Sequence, residues 1–470
     1  MHRSSVAGWL CAIVLAAAPA PAASTPLGVA SGAAPGADGQ PDPFAPVYIL
    51  TSRETYQRYV RTLAPRGLAR FDSAGRALVL ARVREHQLAD ISHYIHEEEH
   101  RCGGYFAFDS AEAAEAFLRA DRTREALLAT VSYAIDNPAT VMPWLPQASE
   151  AAIYDTIDHL STGYRNRYYA SSLGLQSATW IRDHWLSLAG GRSDVTAELF
   201  TDCTNCSTQP SVILTVAGTD LADEVVVLGG HLDSISNSGF GEFMLAPGAD
   251  DDASGIATLT EVIRVAVGSG WRPRRTVKFM GYAAEEVGLR GSQAIASRFA
   301  EQGVDVVGAL QLDMTNYKSG PVEDMQLITD YSNPALQDFM TGVFDTYLAP
   351  LGYNRGTDTC GYACSDHASW TAAGYPSGMM FEAGDVFGHF PYIHTSSDTL
   401  GMMGESAAHS VKFAQFGLAF LGEMAKTAFP GDLVPKLPEC DGREREGASL
   451  LPAPASGRFV QGVSPARARR

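Results

Sequence analysis

Two histidines and four acidic residues between positions 229 and 399 lie in short polar motifs that could together hold metal ions. All six stand in loop-like sequence, and they are His231, Asp251, Glu285, Glu286, Asp313 and His394. Imidazole nitrogens and carboxylate oxygens are donors that zinc and related divalent ions prefer. The set is larger than one catalytic zinc requires. It has the size needed for two metals that share a carboxylate and hold a water between them.

Glu285 and Glu286 are adjacent, which allows them to play different roles. Successive side chains point in different directions, so one glutamate can bind a metal while the other accepts a proton from an activated water. The alternative is a solvated acidic turn, which is a common surface feature. The apolar, strand-like sequence that leads into this turn favours the metal hypothesis.

Neighbouring acids could orient the two candidate imidazoles. Asp233 lies two positions after His231 and could accept its second ring N–H, which would set the tautomer of the imidazole. Asp398 could act in a similar way near His394, with weaker support from the spacing. We therefore include Asp233 in the predicted site as a residue that supports a ligand.

Asp251 stands just before a predicted helix, in a turn bounded by proline and glycine. Its carboxylate has two oxygens and could link two cations. The alternative is an acidic N-cap, a position at which aspartate is a preferred residue. Asp252 is better placed for that capping role.

A second zinc-type motif, His96-Glu-Glu-Glu-His100, matches H-E-x-x-H. It falls on a predicted helix, so both rings would share one face. The segment is crowded with like charges, the helix ends near Gly103, and the motif lies in a unit away from the other ligands. A charged, solvated helix end is therefore the preferred interpretation.

The elements that carry the six candidates alternate between strand and helix. Strand-like runs are predicted at 225–228, 276–280, 306–312 and 325–328, and helices over 253–267, 292–302, 334–351 and 406–427. This alternation predicts an α/β fold with a mostly parallel β-sheet and helices on both faces. His231, Glu285 and Asp313 follow predicted strands, where open α/β sheets place their ligand sites.

A smaller α+β unit precedes this fold, with strand-like runs near 47–51, 77–83 and 105–108 and helix-like segments between them. The predicted organisation is a signal peptide (1–23), a linker (24–46), the α+β unit (47–132), a catalytic domain (133–429) and a disordered tail (430–470).

Charge and the N-terminal sequence limit the possible partners and location. The 470 residues carry a formal net charge of −18, which argues against binding of nucleic acid or an anionic membrane. Arg3, the apolar run 6–18 and the small residues after it predict a secretory signal that is too short to span a bilayer comfortably. We therefore expect a soluble, secreted protein.

Seven cysteines are present, and Cys11 falls within the predicted signal. In an exported protein, close pairs form disulfides more often than they remain thiols, and the close pairs are Cys203/Cys206 and Cys360/Cys364. The alternative for the first pair is half of a zinc site, but no second cysteine pair suits it. The cysteines whose partners stay open are Cys102 and Cys440.

Five ordered motifs span the candidate residues. They are Gly-Gly-His-Leu-Asp-Ser, Ala-Pro-Gly-Ala-Asp-Asp-Asp-Ala-Ser-Gly, Tyr-Ala-Ala-Glu-Glu-Val-Gly-Leu-Arg-Gly-Ser, Leu-Gln-Leu-Asp-Met-Thr-Asn-Tyr and Asp-Thr-Cys-Gly-Tyr-Ala-Cys-Ser-Asp-His-Ala-Ser-Trp. Together they resemble the secreted bacterial leucyl aminopeptidases of the M28 metallopeptidase family. The resemblance extends from about residue 139 to residue 429 and covers most of the predicted catalytic domain.

The resemblance implies an exopeptidase with two Zn²⁺ ions per chain. By motif position, His231 and Asp313 would hold one zinc, and Asp251 would bridge it to the second. Glu286 and His394 would hold the second zinc.

The resemblance also implies the remaining roles. Glu285 would be the general base, and Tyr362 would contact the reacting carbonyl group. Cys360 and Cys364 would form a disulfide near the substrate pocket. The apolar pocket for the N-terminal side chain would be lined by Met314, Ile328, Met379, Phe381 and Ile393. The loop 383–391 departs from the family pattern at the rim of this pocket.

The small unit, which contains Arg101-Cys102-Gly103-Gly104, resembles the propeptide of such enzymes. Propeptides of this kind aid folding or mask the active site and are then removed. The resemblance therefore implies that the chain is made as a zymogen.

These observations predict a secreted, monomeric zinc aminopeptidase that removes large apolar, leucine-like residues from peptides or proteins with free N-termini. Glu285 would pass the proton of the activated water to the leaving amine. Another zinc hydrolase on the same scaffold, a carboxypeptidase or a glutaminyl cyclase, is the alternative. A non-catalytic binding module is less consistent with the sequence, because all six candidate positions are filled.

Overall fold

The computed structural model describes residues 41–99, 101, 103–130, 132–318, 322–382 and 390–428. The predicted signal peptide, most of the predicted linker and the predicted tail lie outside these residues. So do His100, Cys102 and Cys440, and most of the loop expected to depart from the family pattern. No helix in the described ranges combines the length and apolar character needed to cross a membrane.

The N-terminal part forms a small antiparallel sheet of four strands in the order β2-β3-β1-β4. Its strands are β1 (Pro46–Ser52), β2 (Leu68–Phe71), β3 (Ala77–Arg84) and β4 (Tyr105–Phe108). A helical segment spans 53–63, and the helices that follow are α1 (Leu88–Glu99), α2 (Ala111–Ala120) and α3 (Thr123–Leu128). Ser110 caps α2 by accepting a hydrogen bond from the Ala113 N–H, which satisfies a donor that the first turn leaves free.

The larger sheet has eight strands in the order β11-β10-β12-β9-β7-β8-β6-β5. They are β5 (Val195–Phe200), β6 (Ser211–Val216), β7 (Leu221–His231), β8 (Arg275–Tyr282), β9 (Asp305–Leu312), β10 (Met325–Ile328), β11 (Arg355–Asp358) and β12 (Ser377–Phe381). The four central strands, β8, β7, β9 and β12, run parallel to one another, and antiparallel pairings occur nearer the edges.

Helices cover both faces of this sheet. Alternate residues of a strand point to opposite faces, and along β7 Val226 and Leu228 join one apolar core while Val225 and Val227 join another. The first core is covered by α4 (Pro138–Trp144), α5 (Glu150–Thr162), α6 (Ser172–Leu188), α7 (Ala253–Val262), α9 (Pro334–Val343) and α11 (Ala408–Ala425). The second is covered by α8 (Arg290–Gln302) and α10 (His367–Ala372). The predicted α/β class with a doubly covered, mostly parallel sheet is confirmed.

The small sheet lies directly against the larger fold. Glu85, which follows β3, forms a buried ion pair with Arg290 at 3.1 Å. Tyr105 and Ala107 share one apolar core with Ala283 of the turn after β8. An ion pair without access to water needs such close contact, because each charge alone would be costly to bury.

Both predicted cysteine pairs are disulfides. Cys203 is bonded to Cys206, and Cys360 is bonded to Cys364. The first pairing removes the alternative of half a zinc site, because a disulfide sulfur is no longer a thiolate ligand.

Candidate metal centre

Loops at the carboxyl ends of the central strands bring the predicted ligands together. His231 is the last residue of β7, and Asp313 directly follows β9. Glu285 and Glu286 stand in the turn after β8, and Asp251 precedes α7. Strands β7, β8 and β9 are parallel, so their carboxyl ends share one edge of the sheet.

Asp251 lies between the two imidazoles. One of its oxygens is 2.8 Å from Nε2 of His231, and the other is 3.2 Å from Nε2 of His394. His394 Nε2 is also 2.8 Å from Oε2 of Glu286, while His231 Nε2 is 3.7 Å from Oδ1 of Asp313. The five side chains are buried. Asp251, Glu286 and His394 form one group of potential ligands, His231 and Asp313 belong to a second, and Asp251 also contacts His231 of the second group.

Asp252 lies close to His231 and Asp313, but its oxygens are already engaged. They accept backbone N–H groups from His231, Gly255 and Met314 at 2.9 to 3.1 Å. The bond from Gly255 caps α7, which confirms the capping role expected of Asp252. Asp251 therefore remains the better candidate for contact with two cations.

Several buried polar atoms of the centre have no hydrogen-bond partner among the described residues. They are Oε1 of Glu285, Oε1 of Glu286, Oδ1 of Asp313 and Nδ1 of His394. Buried carboxylates are costly unless they are paired or coordinate a metal. The residues present therefore fit divalent cations, which supply the missing positive charge and use oxygen and imidazole donors.

The pKa shifts in the centre also indicate that bound positive charge would stabilise its carboxylates. Burial and the adjacent Asp251 raise the pKa of Glu286 to about 7, and burial raises the pKa of Glu285 well above its usual range. Burial would lower the pKa of His394, but contacts with Glu286 and Asp251 outweigh it and raise the pKa to about 10. A group of acids that holds protons this strongly is well suited to exchange them for metal ions.

Asp233 orients the glutamate turn as well as His231. Its two carboxylate oxygens accept the backbone N–H groups of Glu285 at 2.9 Å and Glu286 at 3.2 Å. Nδ1 of His231 is 3.1 Å from the main-chain oxygen of Asp233 and 3.5 Å from its carboxylate. The second ring nitrogen of His231 thus faces Asp233, and the nearer acceptor is the backbone. Asp398 binds the backbone N–H groups of Asp250 and Asp251 instead of the ring of His394.

Arg167 is a buried residue of the site that the sequence analysis missed. Its guanidinium donates to the main-chain oxygens of Leu232, Pro247 and Gly248 at 2.6 to 2.9 Å. These carbonyls belong to the loops that carry His231 and Asp251. Arg167 therefore ties the two ligand loops together, and no local sequence pattern indicated this, because its partners are backbone atoms far along the chain.

The predicted apolar pocket residues form one cluster. Its described members are Met314, Ile328, Met379, Phe381, Ile393 and Phe390. The first five were predicted, and Phe390 belongs to the loop expected to depart from the family pattern. Two members directly follow or precede proposed metal ligands in sequence, so the cluster adjoins the metal centre.

Tyr362 lies outside that cluster. Its ring contacts Phe106 of the small unit and Tyr331, with centroids 5.7 Å and 5.5 Å apart, and its main-chain oxygen accepts a bond from Arg101. The small unit thus contacts the loop between Cys360 and Cys364.

The expectation that the His96 motif is solvated and remote from the other ligands is wrong for His96. This side chain is only 4% exposed, and its ring centroid is 5.6 Å from that of His394. The reason is tertiary: α1 packs its inner face over the metal centre, while Glu97 and Glu98 stay exposed on the outer face. The other motif histidine, His100, is outside the described residues.

Comparisons with known proteins identify the family of this chain. The model of Peptidase family M28 matches residues 211–418. Leucine aminopeptidase 1 of Coccidioides posadasii is 36% identical over 306 residues, which is 62% of this chain and 75% of that protein. Leucine aminopeptidase 1 of Chaetomium globosum is 38% identical over 299 residues, covering 60% of this chain and 70% of that protein.

Solved structures show the same architecture. The LapA aminopeptidase of Legionella pneumophila superposes with a TM-score of 0.67 at 25% identity, over 81% of this chain and 99% of that chain. LapB of the same organism gives a TM-score of 0.66 at 28% identity with the same coverage. The fold and the buried ligand groups define a metallohydrolase. The chain belongs to peptidase family M28, and it is a metallo-aminopeptidase that acts on peptides.

Proposed function

We propose that this chain is an exported aminopeptidase that uses two Zn²⁺ ions to remove large apolar residues from the N-termini of peptides. The observation that carries the proposal is the position of Asp251, whose two oxygens face different imidazoles. A carboxylate in this position can serve two cations at once.

In this proposal, His231 and Asp313 hold one ion, Glu286 and His394 hold the other, and Asp251 is shared. When bound, the two ions supply Lewis acidity that polarises the scissile carbonyl and lowers the pKa of a water in the site.

Glu285 is the proposed general base. Its carboxylate is buried, belongs to the same turn as Glu286, and has one oxygen without a protein partner among the described residues. Asp233 accepts a hydrogen bond from the backbone N–H of Glu285, which fixes the position of Glu285 in the turn. Glu285 accepts a proton from the attacking water and donates it to the leaving amine.

The apolar cluster around Met314, Met379 and Ile393 is the proposed pocket for the first side chain. Its aliphatic and aromatic walls favour leucine-like residues over charged ones, because a charge buried there would lack a partner. The free α-amino group is then held beside the acids of the centre. Tyr362 is proposed to contact the reacting carbonyl after the small unit, which packs against its ring, has been removed.

We further propose that residues 47–132 are a propeptide that masks the site, between an export signal and linker (1–46) and a catalytic domain (133–429). The support comes from contacts with the glutamate turn and the 360–364 loop. Ser92 donates to the main-chain oxygen of Glu286 at 2.9 Å, and the Gly104 N–H donates to that of Ala363 at 2.7 Å. A unit docked this way covers the proposed substrate path.

The test is metal analysis of the processed protein together with hydrolysis of leucine, lysine and glutamate anilides. We expect two zinc ions per chain, a strong preference for leucine, and no hydrolysis of N-acetylated leucine peptides. Full turnover after complete removal of metal would contradict the mechanism. Equal hydrolysis of N-acetylated peptides would instead indicate a carboxypeptidase on the same scaffold.

A further inference from the structure

A third group of metal-type side chains lies apart from the proposed zinc ligands. The sulfurs of Cys360 and Cys364 and one ring nitrogen of His367 all lie within 4.8 Å of one another. The two cysteines are bonded to each other, and His367 is the first residue of α10. The spacing is Cys-x₃-Cys-x₂-His, so a single loop and the helix start beside it supply all three groups.

His367 is an unusual buried histidine. Its side chain is 1% exposed, and within the described residues neither ring nitrogen makes a hydrogen bond of normal geometry. Burial lowers the pKa of the imidazole to about 4, although the backbone of Asp330 acts in the opposite direction. The ring is therefore neutral at ordinary pH and keeps one nitrogen lone pair, which accepts no hydrogen bond from a described donor.

We propose that Cys360, Cys364 and His367 form a latent site for one soft divalent cation of the zinc and cadmium class, available when the disulfide is reduced. Two thiolates and an imidazole are a common ligand set for zinc, and thiolates favour soft ions strongly. The fourth position would be left to water. This proposal does not depend on the two-zinc assignment of the catalytic centre.

A thiol reductant supplies the two electrons needed to open the disulfide between Cys360 and Cys364. Two reductant thiols give up two electrons and join in a disulfide, while the bond between Cys360 and Cys364 breaks and both sulfurs become thiols. Binding of the cation then displaces the two thiol protons to solvent, because the thiolate is the ligand form. Cys360 is only partly buried, so a small thiol can reach this pair.

The site is distinct from the catalytic centre but next to it. Ser365, one residue after Cys364, donates a hydrogen bond of 2.5 Å to Oδ2 of Asp313. Cys360 also borders the apolar cluster proposed to bind the substrate side chain. An ion at Cys360, Cys364 and His367 would therefore hold the loop that joins the proposed pocket to the metal centre.

The other disulfide provides a matched control. Cys203 and Cys206 also form a short-range pair, with Cα atoms 5.4 Å apart compared with 5.7 Å for Cys360 and Cys364. The described residues place no third histidine, cysteine or acid close enough to complete a group there. Reduction alone should therefore create a tight site at one pair and not at the other.

The experiment uses the full chain after its predicted signal, with Cys102 and Cys440 changed to serine so that the two pairs are the only remaining cysteines. The protein is reduced with dithiothreitol, desalted under argon and titrated with Cd²⁺, while the ultraviolet charge-transfer absorption of cadmium–thiolate bonds is recorded. We expect the band to report one tight thiolate site per reduced chain and none in the oxidised chain, because the ligands proposed for the catalytic centre include no thiolate. Absence of the band from the reduced chain overturns the proposal.

Variants locate the site. Cys360→Ser with Cys364→Ser should abolish the tight band, and Cys203→Ser with Cys206→Ser should leave it unchanged. His367→Gln should weaken Cd²⁺ binding by more than about tenfold, since even residues that only orient a ligand commonly contribute that much. Unchanged affinity in His367→Gln overturns the role of the imidazole. If that variant fails to fold, the ¹¹³Cd chemical shift of the parent protein decides between an S₂N site and a site with sulfur ligands alone.

Discussion

His96 of the small unit lies edge-on against His394 of the metal centre, with ring centroids 5.6 Å apart and ring planes at 61°. His394 Nε2 contacts Asp251 and Glu286, so the edge of its ring that meets His96 borders the metal centre. Helix α1 covers that edge. We therefore expect that a peptide reaches the proposed ligands only after the small unit has moved or has been removed.

A substitution at Gly103 should weaken the docking of the small unit without changing any catalytic group. A Cβ at this position would lie 2.4 Å from the main-chain oxygen of Ala363, and its φ of +54° also disfavours other residues. We expect Gly103→Ala to raise the basal activity of the unprocessed chain by about fivefold or more, because the clash acts only in the docked state.

The matched control is Gly75→Ala, assayed on the same leucine anilide. Gly75 also has a positive φ of +84°, but a Cβ there would meet nothing within 4 Å. This change should leave basal activity as it is while causing similar backbone strain. If the two variants raise activity equally, masking by the 101–104 segment is wrong.

Glu285→Gln should separate metal binding from proton transfer. The amide keeps the size of the side chain but cannot accept the proton of the water, so kcat should fall by at least about 100-fold. The metal content should stay at the level of the unchanged protein. Glu286→Gln is the contrasting variant, and we expect it to lower metal content, measured by atomic emission on gel-filtered protein. Metal loss in Glu285→Gln would place that residue among the ligands.

Arg167→Met should weaken metal retention. The loss of a buried cation leaves the main-chain oxygens of Leu232, Pro247 and Gly248 without their donor. We expect a loss of about 2–3 kcal/mol in the free energy of unfolding, together with a lower affinity for metal. Arg165→Met is the control, because Arg165 is exposed and has one such bond, to the Phe243 oxygen at 3.1 Å. Equal metal affinity in the two variants would exclude this positioning role.

Protonation of His409 should lower the free energy of unfolding in mild acid. Burial, reinforced by nearby Lys412, lowers the pKa of His409 to about 3, although Asp324 acts in the opposite direction. In the unfolded chain the imidazole has a pKa of about 6.5, so the unfolded state binds the proton first as pH falls. The folded state therefore loses stability below about pH 6.5, by roughly 2 kcal/mol at pH 5.

Replacement of His409 by leucine removes this titration. We expect urea unfolding of His409→Leu to show a smaller loss of stability between pH 7 and pH 5 than the unchanged protein. A parallel pH dependence of the two proteins would show that the buried ring does not control acid stability.

Some helices and strands could be predicted from the sequence because the pattern of apolar residues that indicates them is local. The helix stripe after Asp252 and the apolar strand before His231 carry their own periodicity, and both formed as predicted. Strands β2, β5, β6, β11 and β12 were not predicted. In β12, Ser377-Gly-Met-Met-Phe has little intrinsic strand preference, and it is extended because β9 and β10 pair with its two edges.

The sequence by itself determined the fold class and the set of candidate ligands, because strand and helix alternate regularly and the motifs of His231, Glu285 and Asp313 follow strands. Only the tertiary structure decided that Asp251 faces both imidazoles, that Arg167 binds the ligand loops, and that His96 covers His394. Each of these relationships joins residues far apart in the chain, and contacts of that kind leave no pattern in the local sequence of either partner.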